Sequence, residues 1–217
     1  MRSALQLHPS DARLEKGRLT RAAILDAATQ IASVEGLQGL SLARLAEAVG
    51  MSKSGLFAHF RSKEDLQLAV IDAARALFLR EVVVPSQVFP EGLQRLRKLV
   101  QTWLSYAEGC VFRGGCFFMA TSLEFDGRPG VVRDRIRELM GLWLSLLESE
   151  FRRAKFAGEL RAEADESQLA FEFNAQGMAA NWGFQLFGDR QAFARARSAM
   201  LASLEKWAAR PLPEPGG

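Results

Sequence analysis

An all-α fold is predicted by three observations. Leu, Ala and Arg are abundant while Tyr occurs once, a balance that favours helix over sheet. Apolar residues recur at three- and four-residue spacing in segment after segment, and no stretch alternates apolar and polar residues long enough to make a half-buried strand. At 217 residues the chain can bury a full core, as one domain or as two small ones.

The elements follow in order. Residues 1–16 carry no sustained apolar stripe and are expected to form a mobile arm. The first helix is expected from about Arg18 to Glu35, with Ile24, Leu25, Ala28, Ile31 and Ala32 on one face and Gly36 as its stop. Ser41 can cap a second helix whose Leu42, Leu45, Ala46 and Val49 fall at i, i+3, i+4 and i+7. Ser52 can cap a third, Lys53 to about Phe60. Ser62 with Asp65 three residues on reads as a capping box opening a fourth, which runs to about Arg80 on a stripe of Leu66, Val70, Ala73 and Leu77. VPSQVFP at 84–90 holds two prolines and breaks the helical pattern, so the boundary between halves is placed there. Helices are then expected at about 91–109, 115–125, 130–157, 166–187 and 190–209, punctuated by Gly127-Arg128-Pro129-Gly130, Gly158 and Gly188-Asp189. The closing RPLPEPGG, residues 210–217, cannot continue a helix and is read as a disordered tail. The total is about nine helices.

Net charge is only +3, so charge alone says little about a nucleic-acid partner. Its distribution says more: residues 1–63 hold nine Lys and Arg against five Asp and Glu, while the rest holds 19 bases against 20 acids. Cys110 and Cys116, six residues apart, fit neither CxxC redox chemistry nor a zinc ligand set, and two such thiols point to a reducing compartment. The start MRSALQLHPSDARLEKGR has charges where a secretory signal needs an apolar core, and no run approaches ~18 apolar residues. A cytoplasmic protein with no metal, cofactor or membrane partner is expected.

Within Thr20–Val70 the second and third helices flank the turn Gly50-Met51-Ser52. A helix-turn-helix reader of duplex DNA needs a tight turn, a small or apolar lock between its helices, and a second helix with polar residues for the major groove. Gly50 suits the left-handed turn position, Ala46 permits close approach, and Val49, Leu56 and Phe60 can form the wedge. Outward, Lys53, Ser54 and His59 can meet bases or phosphates, and Gly55 leaves the backbone uncovered. Ser41, Lys63 and the amides opening the fourth helix are candidates for phosphate contacts. As bland alternatives, Lys53 and Ser54 are solvated surface, His59 is half-buried surface, and Arg44 merely pairs with an acid such as Glu47.

The run TRAAILDAATQIASVEGLQGLSLARLAEAVGMSKSGLFAHFRSKEDLQLAV resembles the N-terminal domain of the TetR family of transcriptional regulators. That resemblance implies a homodimer with a three-helix DNA-binding domain over 17–63, a connecting helix over 64–84, and an effector-binding and dimerisation domain over 85–209. It also implies a repressor that a small molecule releases from its operator. By position, Ser41 matches a phosphate-contacting Ser or Thr, and Arg44 a residue that often reaches base or phosphate. Ser52, Lys53, Ser54 and Gly55 match the start of the recognition helix, and His59-Phe60 its usual ending. Phe57 stands where the family commonly has a phosphate-binding Tyr, so only apolar contact or packing is left to that ring.

Specificity falls in the second half, although RGGCFFMATSLEFDGRPGVVRDRI is similar to a stretch in some TetR-like C-terminal domains. Trp103, Tyr106, Phe117, Met140, Trp143 and Phe173 are candidate linings of an effector pocket for a lipophilic or aromatic molecule. Asn174 and Gln176 are its candidate polar groups, with ordinary core packing as the alternative for each aromatic. Ala180 and Gly183 on one helix and Phe193, Met200 and Leu204 on the next are candidates for a dimer interface, with packing inside one chain as the alternative. The resemblance implies a four-helix bundle there, and a two-fold dimer would place reading helices on half-sites roughly 34–36 Å apart, or a multiple, on a near-palindromic operator. Two other readings remain. One is a helical enzyme, for which no HExxH, GxSxG or phosphate loop is present; the other is a dimeric small-molecule binder with a vestigial reader.

Overall fold

Helix α1 spans Pro9–Glu35, α2 Leu42–Val49, α3 Lys53–Phe57 and α4 Lys63–Phe78. The computed structural model describes the backbone of residues 9–212 and the side chains of 14–212. The arm expected over 1–16 is corrected in part, because α1 is already helical from Pro9; residues 1–8 lie outside the described residues. Pro9 can open a helix, where its missing N–H and fixed φ cost nothing. Leu14 on this extension is exposed, so apolar periodicity could not reveal it.

The short helices are fixed by their caps. The Ser41 hydroxyl accepts the Arg44 amide at 3.1 Å, Ser52 accepts Gly55 at 3.1 Å, and Ser62 accepts Asp65 at 3.0 Å. Asp65 reaches back to the Arg61 amide at 2.9 Å, one residue beyond the capping residue. At the turn, Gly50 adopts φ 64, ψ 29, its amide returns to Ala46 and Glu47, and Met51 bonds the Ala46 carbonyl at 3.0 Å. That pattern closes α2 and sets α3 across it. Helix α3 stops at Phe57, short of the expected Phe60, yet the Phe60 amide still bonds the Leu56 carbonyl at 3.0 Å and turns the ring inward. Ala28, Ala32, Leu45, Leu56, Phe60, Leu66 and Val70 close the core of this head. The buried stripe of α4 is Leu66, Gln67, Val70, Ile71 and Ala74, rotated from the expected one, so Ala73 and Leu77 are only half-buried.

Past Phe78 the helix widens into a π-helical turn, Leu79–Val83, and tightens into a 3₁₀ turn, Val84–Ser86, that contains Pro85 and precedes Pro90. Thr102 donates its hydroxyl to the Val82 carbonyl at 2.9 Å, satisfying one group that the widened turn strands. Helices α5 (Leu93–Glu108), α6 (Phe117–Phe125), α7 (Val131–Phe156), α8 (Glu166–Phe187) and α9 (Ala192–Trp207) follow. Every one of these lies within two residues of its expected bounds. Helices α8 and α9 pack as an antiparallel pair, and α7 lies along α8. Buried Glu150 and half-buried Glu159 cap α5, accepting the Gly92 and Leu93 amides at 3.0 and 2.9 Å. The tail expected to be disordered from residue 210 is anchored at its start: Leu160 and Ala208 form an antiparallel bridge, and Leu212 packs on the core. Residues 213–217 lie outside the described residues.

The two halves meet through polar clasps. The Glu124 carboxylate on α6 accepts the Leu37 and Gln38 amides at 2.8 Å each, holding the α1–α2 turn. Gln30 donates to the Val111 carbonyl at 2.9 Å and accepts the Arg113 amide at 3.1 Å. Arg135 on α7 grips Asp72 on α4 at 2.7 Å.

Candidate nucleic-acid interface and effector cavity

Polar and charged groups gather on the outer side of the head. Lys53, Ser54 and Phe57 are exposed on α3, with Ser52 capping it and its hydroxyl 3.1 Å from that of Ser54. The Lys53 ammonium has no hydrogen-bond or ion-pair partner among the described residues. Such a cation, exposed and held on a rigid short helix, is free to meet a base edge or phosphate. Gly55 and His59 are half-buried, the latter beside Phe60. Phe57 is 54% exposed, so its ring is not used in packing.

Three residues are less free than their sequence positions suggest. Arg44 makes two bonds to Glu35, at 3.2 and 2.8 Å, with Glu47 3.9 Å away. The hydrogen bond from Arg44 holds the Glu35 carboxyl below its ordinary range and raises the guanidinium in turn. Pairing with an acid, the bland alternative, thus describes Arg44 here, with Glu35 as the principal partner. The Lys63 ammonium donates to the Gln38 carbonyl, tying α4 to the α1–α2 turn; two of its three protons stay available. The Ser41 hydroxyl is occupied as an acceptor at its cap. Sequence reasoning missed Arg61, exposed between α3 and α4 and without a side-chain partner among the described residues, and Arg21, whose guanidinium lies 5.0 Å over the Phe60 ring. The surplus of bases in residues 1–63 was the available signal.

A cavity of about 150 Å³ opens between the far end of α4, its π-helical turn and helices α5 to α8. Its walls are Phe78, Leu79, Val83, Trp103, Cys116, Phe118, Met119, Leu139, Met140, Leu142, Trp143 and Leu146, with Arg75 and Asn174 as the polar members. Trp103 and Trp143 meet at 4.8 Å between centroids, and Phe78 stands edge-on to Trp143 at 5.3 Å. The Trp143 indole donates to the Asn174 carbonyl at 3.2 Å, so this amide is already oriented. Burial pushes the Cys116 thiol up, which suppresses the thiolate. Of the candidate lining residues, Trp103, Met140, Trp143 and Asn174 reach the cavity. Tyr106, Phe117, Phe173 and Gln176 are corrected to positions behind or away from it. Phe117 is sandwiched by Phe112 and Phe118, and Phe173 packs edge-on against Phe151 at 5.0 Å. Tyr106 lies edge-on to Phe78, its hydroxyl buried without a partner and its phenol pushed far above the usual range by desolvation. The Gln176 side-chain oxygen is likewise buried and unpartnered.

The dimer-interface candidates are corrected as well. Ala180, Phe193, Met200 and Leu204 are buried in the core of this one chain, and a Cβ on Gly183 would sit 3.4 Å from that of Ala192. Phe184 and Phe193 meet at 5.5 Å, which makes those faces the seam between α8 and α9. The opposite face of α8 is left open. Phe171 (66% exposed), Ala175, Ala179, Trp182 (57%) and Leu186 fall at four- and three-residue steps along it, and Leu201 of α9 is exposed as well. Solvent-facing apolar stripes of this length mark protein interfaces. The faces singled out by periodicity pack against each other within one chain, and α8 carries a second apolar side that periodicity did not separate from the first.

No described helix is long and apolar enough to cross a membrane. Residues 24–70 match the model of the bacterial regulatory proteins of the tetR family, and residues 92–200 that of the tetracyclin repressor-like C-terminal domain. The transcriptional regulator AcuR of Cereibacter sphaeroides is 26% identical over 159 residues, 71% of either chain. A TetR transcriptional regulator from Chloroflexus aurantiacus superposes with a TM-score of 0.83 at 24% identity, covering 89% of this chain and 98% of that one. AibR, solved in complex with isovaleryl coenzyme A and operator DNA, superposes at 0.69 and 24% identity, over 88% and 100%. Members of this family are transcription factors rather than enzymes. With both domain models matched in order along one all-helical chain, the protein belongs to the TetR family of DNA-binding transcriptional regulators.

Proposed function

We propose that this regulator is a cytoplasmic repressor, a homodimer released from a near-palindromic operator by a small lipophilic or aromatic effector bound in the cavity of the C-terminal half. The observation that carries the reading is the placement of α4. At its N-terminus Lys63, Leu66 and Val70 hold the reading head, and at the other end Arg75, Phe78 and Leu79 form a wall of the cavity. A ligand that shifts that wall moves the head. The π-helical turn after Phe78 sits at the junction, where a distorted helix adjusts more easily than a regular one. Coupling needs the effector to favour the DNA-incompetent state by roughly 1–3 kcal/mol, as in typical allosteric systems.

On this reading 17–63 is the DNA-binding domain, 64–84 the connector and 85–209 the effector and dimerisation domain. Lys53, Ser54, Gly55 and His59 face the groove with Ser52 at the helix start, while Ser41, Lys63 and Arg61 meet phosphate. Arg44 joins them only after leaving Glu35, and Phe57 supplies apolar contact. Two copies pair through the Phe171, Trp182 and Leu186 stripe of α8.

Selection of bound fragments from genomic DNA, followed by gel-shift titration, tests the function. Recovery of near-palindromic sites bound with steep salt dependence supports it, since phosphate neutralisation releases counterions. Indifference to every duplex at low ionic strength would leave a small-molecule binder with a vestigial reader. Sedimentation of Trp182→Asp tests the pairing; a variant that stays dimeric removes the α8 stripe from the interface.

A further inference from the structure

The cavity has one charged lining residue. Arg75 lies in the last turn of α4 and is exposed, with no hydrogen bond or ion pair among the described residues. The acids around it are engaged elsewhere: Asp72 holds Arg135 at 2.7 Å, and Glu81 holds Arg80 at 2.9 Å. No carboxylate lines the cavity, and the Asn174 oxygen is already taken by Trp143. A cationic ligand would therefore face an uncompensated guanidinium, and a neutral polar one could accept its hydrogen bonds but not balance its charge. An anion finds both a charge and donors.

We infer that the effector is a small amphipathic carboxylate, its apolar body among Trp103, Met140 and Trp143 and its carboxylate on Arg75. This rests on the preceding reading of the cavity as the effector site. An apolar space near 150 Å³ takes a body about the size of benzene. A single guanidinium presents a planar fork that matches one carboxylate with two parallel bonds, whereas a polyphosphate group calls for several bases. Because Arg75 is on α4, the ligand's charge is anchored to the helix that bears the reading head, and α7 is the opposing wall through Met140 and Trp143. Binding would thus bridge α4 and α7 one turn from the Asp72–Arg135 clasp that already joins them.

Calorimetric titration of the full chain with benzoate, benzyl alcohol, hexanoate and 1-hexanol tests the assignment, with Arg75→Gln and Met140→Trp as variants. Each acid is expected to bind at least about tenfold more tightly than its alcohol. Arg75→Gln should abolish that preference while leaving alcohol affinity unchanged, and Met140→Trp should weaken all four by filling the cavity. Arg75 is exposed, so its loss leaves the core intact, and circular dichroism of each variant checks this. Acids that bind no better than alcohols, an acid preference that survives Arg75→Gln, or no binding by any probe overturns the carboxylate assignment. Binding of all four undiminished in Met140→Trp overturns the cavity itself as the effector site. Duplex binding by the unliganded protein is measured separately and decides the regulator reading whatever the probes do.

Discussion

The reading head and the effector half are both helical and both tightly packed, yet their functional residues arise differently. In the head, each functional side chain sits within a few residues of the cap or turn that positions it. Ser52 starts α3, Gly50 aims it, Leu56 and Phe60 brace it, and Lys53 is left exposed. In the effector half the cavity draws on α4, α5, α6, α7 and α8, and no local pattern separates Trp103, which reaches it, from Phe173, which packs against Phe151. A surface reader is specified by short-range geometry, whereas a cavity is defined by the space that several helices fail to fill.

That contrast can be broken by mutation. Phe60→Ala removes a fully buried ring and should cost about 3–5 kcal/mol in chemical denaturation while abolishing duplex binding. If carboxylate binding disappears with it, the halves are a single cooperative unit and the contrast fails. Gly177 lies flat against Trp103, and an added Cβ would fall 2.1 Å from the indole Cη2. Gly177→Ala should therefore destabilise by ~1–3 kcal/mol through overpacking and disturb ligand binding, with duplex affinity of the unliganded protein kept. An unchanged denaturation midpoint would mean that the indole moves aside at no cost.

Lys53→Ala tests the other side of the comparison. The side chain is exposed, with no hydrogen-bond or ion-pair partner among the described residues, so stability should hold while operator affinity falls by about 1–3 kcal/mol if the contact is to a base. A uniform loss over all sequences, with the salt slope reduced by about one, would make it a phosphate contact instead. Tyr106→Phe has the smallest expected effect and the opposite sign. Removing a buried hydroxyl without a partner should raise stability by up to about 1 kcal/mol, and a loss would reveal a partner for that hydroxyl.

Most of the helices were legible before any coordinates, because each is bounded by a cap, a glycine or a proline and carries its own apolar spacing. The exceptions are instructive. The extension of α1 back to Pro9 is exposed wherever its side chains are described, over residues 14–17, and so leaves no periodic trace there. The π-helical turn over Leu79–Val83 was invisible because its residues read as ordinary helix, and the Thr102 hydroxyl that meets its Val82 carbonyl comes from α5, twenty residues on. Arg44 was legible as a candidate reader, yet its engagement by Glu35 arises from the angle between α1 and α2.

The amino-acid order determined the all-helical class, the helix-turn-helix, the exposure of Lys53 and Ser54 on its second helix, and the packing of α8 on α9. Each of these follows from interactions among residues near in the chain, where spacing fixes geometry. The fold alone decided which face of α8 is buried, which aromatics border the cavity and that Arg75 stands at its edge unpaired among the described residues. Those outcomes depend on how distant helices share a limited volume and satisfy one another's charges, a competition that no single segment records.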